Sequence, residues 1–145
     1  MSDVLSLSQI RLPGTARTKD DAIREAGQLL VDAGAVTPSY IDSMFERERS
    51  VSTYMGNYLA IPHGTNESKE SINHSALSVI RYHDPIDWDG NQVLFALGIA
   101  GYQGGHMDIL SRIAIVFSDT DEVDKLLAAQ TAQELYDLLH AVNQE

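Results

Sequence analysis

The stretch QVLFALGIA, residues 92–100, is apolar at almost every position. A strand exposed on one face alternates apolar with polar residues, whereas one covered on both faces can be apolar throughout. Residues 92–100 therefore read as a central strand, and such a strand requires helices on both sides of its sheet. Upstream, SALSVIRY (75–82) reads as a second strand, joined to the first through DPIDWDG (84–90), whose Pro, Asp and Gly content predicts a turn or loop. YLAI (58–61) and SQIRL (8–12) supply further short strands.

The helices follow from periodicity and capping. In TKDDAIREAGQLLVDAG (18–34), Thr18 caps with Asp21 three residues on, Ile23, Ala26, Leu29, Leu30 and Ala33 form one face, and Gly34 ends the helix. Pro38 opens a second helix whose expected buried face is Ile41, Met44 and Phe45, with Glu46, Arg47, Glu48 and Arg49 as a charged last turn. His106 opens a third, with Ile109, Leu110, Ile113 and Phe117 inside. Asp121 starts a fourth, and Thr131, with Glu134 at the capping-box spacing, starts the last. The predicted fold class is α/β: a three-layer α/β/α sandwich with a mixed sheet of about five strands and flanking helices. The 145 residues are expected to form one stand-alone domain, 1–145.

Composition narrows the chemistry. The net charge of −11 argues against a nucleic-acid backbone as partner and favours encounter with a basic protein. With no cysteine, disulfides, zinc–thiolate sites and cysteine nucleophiles are excluded. MSDVLSLSQIRL lacks the basic start and apolar core of a signal peptide, and no segment approaches the ~20 apolar residues of a membrane span, so a cytoplasmic location without direct membrane insertion is expected. The five histidines, 63, 74, 83, 106 and 140, show no tight ligand pair, and neither a metal nor a cofactor is expected. His74, His83 and His140 read as surface residues. His63 and His106 differ: each follows an apolar strand, where open α/β sheets place their ligand sites. Pro62 ends the strand before His63, and Gly64 leaves room beside the ring. GIAGYQGGH (98–106) lacks the spacing of a nucleotide loop, although a helix starting near Gly104 could aim N–H groups at an anion. Arg47 and Arg49 fit either helix C-terminal complementation or a phosphoryl-binding fork.

The segment Glu48 to Gly64 resembles the phosphohistidine signature of the mannitol/fructose-type (type 2) enzyme IIA domains of the bacterial phosphotransferase system. Glu48 is followed after six residues by Met55-Gly56, then Asn57-Tyr58 and Leu59-Ala60-Ile61-Pro62-His63-Gly64. Residues 18–48, FALGIA (95–100) and GGHMDIL (104–110) extend the likeness along the chain, and Pro-His-Gly-Thr is similar to the mannitol branch. The resemblance implies that His63 accepts a phosphoryl group from the phosphocarrier protein HPr and passes it to a cysteine of an enzyme IIB on a separate chain. It implies that His106 is the second active-site histidine and that Arg47 stabilises phosphoryl charge. Asn57 departs from the family, where Glu is frequent. The expected acceptor atom on His63 is Nε2, with Nδ1 held by a backbone carbonyl. A regulatory phosphohistidine module of the same fold is the alternative reading.

Overall fold

The computed structural model describes residues 4–65, 70–102 and 105–140, and only the backbone of His106. After a 3-10 turn, Leu7–Gln9, come β1 (Ile10–Arg11), α1 (Lys19–Asp32), α2 (Ser39–Ser50), β2 (Tyr54–Gly56), β3 (Leu59–Ala60), β4 (Ala76–Trp88), β5 (Asn91–Ala100), α3 (His106–Phe117), α4 (Thr120–Ala128) and α5 (Ala132–Leu139). The sheet order is β1-β4-β5-β3-β2. β1 and β3 run parallel to their inner neighbours β4 and β5, while the β4–β5 and β2–β3 pairs are antiparallel.

β5 is covered on both faces, as its composition requires. Phe95, Leu97 and Ile99 join Leu77 and Val79 of β4 under α3, α4 and α5. Ala96 and Ala100 join Ile80, Tyr82, Ile86 and Trp88 under α1 and α2. The second face is lined by small residues where α1 crosses. A side chain at Gly98 would come within 3.1 Å of the Ala26 carbonyl, and Ser78 Oγ donates to that same carbonyl at 2.8 Å. Small residues on one face and large ones on the other thus set how closely each helical layer approaches.

Three sequence expectations are corrected. First, the turn expected over 84–90 is confined to its end: β4 runs unbroken to Trp88, which is fully buried, and only Asp89 and Gly90, both at positive φ, make the turn. Two consecutive left-handed residues form the tight hairpin connection that Asp-Gly favours. Pro85 is tolerated because β1 covers only Val79 and Ile80, leaving the outer edge of β4 unpaired near Pro85, where the register with β5 also slips. Second, the short strand expected over SQIRL is present but limited to Ile10 and Arg11, which pair with β4, because Ser8 and Gln9 belong to the preceding 3-10 turn. Third, α2 buries Tyr40, Met44 and Glu48, one residue round from the expected stripe, while Ile41 and Phe45 are only partly covered. The cap of α4 is Asp119, slightly earlier than expected, and those of α1 and α5 are Thr18 and Thr131, as read from the sequence.

Candidate active site

β3 is two residues long, but the chain continues beside β5 as far as His63, which bridges Ile99 in parallel register. His63 therefore sits at the carboxyl end of the β3–β5 pair, half-buried. Its Nδ1 lies 2.8 Å from the carbonyl oxygen of Ile61. A carbonyl can only accept, so Nδ1 carries the proton and the neutral ring keeps its lone pair on Nε2. One backbone contact thus selects the tautomer.

The segment before β2 supports this end of the sheet. Ile61 N–H donates to the Thr53 carbonyl at 3.1 Å. Thr53 is held in turn by Glu48, whose carboxylate accepts from the Thr53 N–H at 2.8 Å and from its hydroxyl at 2.5 Å. β4 joins in: Trp88 Nε1 donates to Glu48 at 3.1 Å. Glu48 is 6% exposed, so the expected charged last turn of α2 is in part a buried anchor. Lys19 Nζ, 3.7 Å from Glu48 and 2.7 Å from Asp89, supplies the nearby positive charge.

Tyr40 forms the other support. Its hydroxyl donates to the Ile99 carbonyl at 2.7 Å and accepts from the Gly64 N–H at 2.9 Å. The ring is 2% exposed. Burial pushes the phenol up to about 12, against the opposing pull of the Gly64 N–H, so it is protonated and able to donate at neutral pH.

Arg47 projects from the last turn of α2 and donates Nη1 to the Val51 carbonyl at 2.7 Å, the helix-end complementation that its position allows. Among the described residues its hydrogen bond goes to that carbonyl and not to the imidazole. Arg49 lies with Lys19, Ile23, Phe45 and Glu48 around a shallow cleft. His106 is the first residue of α3, and its side chain lies outside the described residues, as does the Gly104 segment. Asn57 stands at φ 51° in the β2–β3 turn, followed by Tyr58 at φ 67°. Its Nδ2 donates to the Phe117 carbonyl at 2.7 Å, which ties the turn to the end of α3. An amide can make this bond, whereas an ionised Glu has no proton to donate.

His74, His83 and His140 are exposed. Among the described residues no three His, Cys, Asp or Glu side chains are arranged to hold a metal, and no helix is long and apolar enough to cross a membrane.

The description "Phosphoenolpyruvate-dependent sugar phosphotransferase system, EIIA 2" matches residues 3–142. The chain belongs to this family. Among its EIIA relatives, the mannitol-specific phosphotransferase enzyme IIA component of Halalkalibacterium halodurans is 52% identical over 141 residues, 97% of either chain. That of Staphylococcus aureus is 47% identical over 135 residues, covering 93% of this chain and 94% of the relative. Among solved structures, the complex of enzyme IIA mannitol with phosphorylated enzyme IIB mannitol from Escherichia coli aligns with a TM-score of 0.86 at 29% identity, covering 93% of this chain and 96% of the other.

The sequence reading singled out His63, did not single out Tyr40, and took Glu48 only as part of a charged last turn and as the head of the signature. Tyr40, Met44 and Glu48 follow one another at intervals of four, a stripe visible in the sequence had Tyr and Glu been allowed as buried residues.

Proposed function

We propose that this chain, acting as a single EIIA domain over 1–145, is the cytoplasmic IIA component of a mannitol phosphotransferase system. It takes a phosphoryl group from HPr onto His63 Nε2 and hands it to the active-site cysteine of a separate IIB protein. The observation that carries the reading is the 2.8 Å contact of His63 Nδ1 with the Ile61 carbonyl. It leaves Nε2 as the basic atom in a chain whose relatives are named mannitol-specific IIA components.

The chemistry is a pair of in-line displacements. In the first, the Nε2 lone pair attacks phosphorus as the donor's P–N bond breaks. The new P–N bond makes the ring cationic while Nδ1 keeps its proton, and the Ile61 carbonyl stabilises that charge. In the second, a thiolate attacks the phosphorus, the P–N electrons return to Nε2, and the imidazole is regenerated in its original tautomer. No proton need move on this chain in either step. In this reading Arg47 exchanges its Val51 bond for a phosphoryl oxygen, and His106, at the start of α3, acts as the second histidine of the site. Exposed Val51, Tyr102 and Met107, on the segments that lead to this end of the sheet, offer apolar contact to docking proteins.

Incubation with phosphoenolpyruvate, enzyme I and HPr is the test. The wild-type chain should take up one acid-labile, alkali-stable phosphoryl group, and His63→Ala should take up none. Label retained by His63→Ala would overturn the assignment. Transfer onward to mannitol-type rather than fructose-type IIB fixes the sugar.

A further inference from the structure

The parallel ladder between β3 and β5 is interrupted at its last rung. Ile99 bridges His63, and its N–H donates to the Pro62 carbonyl at 3.1 Å, the first of the two bonds a parallel bridge makes. The second bond of such a bridge runs from the N–H of the residue after His63, Gly64, to the Ile99 carbonyl. Here the Tyr40 hydroxyl lies between them, accepting from Gly64 and donating to Ile99. Both backbone groups are satisfied, but through an inserted oxygen. The last rung beyond the histidine therefore depends on a side-chain hydroxyl from α2.

We propose that Tyr40 is a positioning residue for the phosphoryl relay: its hydroxyl, wedged into the terminal rung, fixes the His63–Gly64 backbone so that Nδ1 stays on the Ile61 carbonyl and Nε2 faces the incoming phosphorus. The inference rests on His63 as acceptor. Its physical basis is the rigidity of the support. The ring of Tyr40 is buried in the α1–α2 core together with Met44 and Ala100, so the hydroxyl cannot swing away. Burial also keeps the phenol protonated, so its donor and acceptor roles do not interchange near neutral pH. Without the hydroxyl, either Gly64 closes directly onto Ile99, drawing the peptide after His63 inward, or two buried backbone groups lose their partner. Both outcomes move the imidazole relative to Ile61.

Tyr40→Phe keeps the ring and removes only the wedge. With phospho-HPr as donor, the expected result is a fall in kcat of about tenfold to a hundredfold, the scale of a small misplacement of a reacting group. The KM for phospho-HPr should be unchanged, because Tyr40 is buried and touches no docking surface. Nitrogen NMR of ring-labelled histidine should show His63 moving from the single Nδ1–H tautomer to a mixture. An unchanged kcat with an unchanged tautomer would overturn the inference, as would a loss of activity that merely tracks the unfolded fraction. Should Tyr40→Phe fail to fold, 3,5-difluorotyrosine at position 40 keeps the oxygen but weakens its acceptance from Gly64. A reduced kcat at constant KM then supports the wedge, and wild-type kinetics refute it. Wild-type protein serves as the control: if it is not labelled on His63, the acceptor assignment itself has failed.

Discussion

Two buried carboxylates, Glu25 on α1 and Glu48 on α2, both reach β4 and do different things. Glu25, on α1, is enclosed by donors: Arg11 Nη1, the Thr15 N–H and hydroxyl, and the Tyr82 hydroxyl at 2.8–2.9 Å, with the Ala16 N–H at 3.2 Å. Nothing in that knot is left over for chemistry. Burial alone would raise its pKa, but the Thr15 N–H, Arg11, Tyr82 and the Thr15 hydroxyl together bring it down from 4.5 to about 2. A cleft of about 460 Å³ lies beside it, between residues 13–17 and 82–86, remote from His63. Glu48 accepts fewer bonds, and those it makes lead outward through Thr53 and Ile61 to the imidazole. A closed polar network fixes a fold, whereas an open chain of hydrogen bonds can transmit that fixity to a reactive atom.

Replacing each carboxylate separates the two roles. Glu25→Ala should cost roughly 3 kcal/mol of stability, because several buried donors lose their acceptor. Its rate of His63 labelling per folded molecule should match wild type. Glu48→Ala should lower both stability and transfer. Denaturant titration and labelling kinetics on the same samples decide the matter, and equal transfer defects in the two variants would erase the distinction.

Acid provides a milder perturbation. A carboxylate whose pKa is depressed by folding contributes stability above its unfolded value and loses it as pH falls through the folded value. The Glu25 contribution should therefore be intact above pH 4.5 and disappear toward pH 2. Glu25→Gln should flatten the acid limb of stability against pH in that window, and a limb as steep as wild type would remove Glu25 as its source.

The smallest expected effect belongs to Arg47→Ala. The lost bond to Val51 lies at an exposed helix end, where such contacts contribute about 0.5 kcal/mol. Phosphoryl transfer should nonetheless slow by about tenfold if the guanidinium meets the transferring group. A rate equal to wild type would confine Arg47 to capping.

The sequence was most legible where one local rule acts alone. Thr18 with Asp21 and Thr131 with Glu134 capped the helices they were expected to cap. The unbroken apolar run of β5 required a two-sided cover, and His63 stands at the end of the strand that Pro62 closes. It was least legible where two rules compete. Pro85 and the acidic residues near it signalled a turn or loop, yet β4 continues because its outer edge has no partner to lose at that point. The β2–β3 turn was hidden because Tyr58 occupies a left-handed position that Gly usually fills.

By itself the sequence determined the layers, the caps of α1 and α5 and the place of His63 at a strand's end, because periodicity, capping and chain-breaking residues act over a few neighbouring positions. Only the tertiary structure decided what holds that imidazole. Tyr40 meets Gly64 and Ile99 across separations of 24 and 59 residues, and Glu48 meets Trp88 across 40. A hydroxyl in a strand rung and a carboxylate beneath a loop exist only once the sheet and α2 have packed, since their partners are backbone groups and distant side chains whose positions no local pattern specifies.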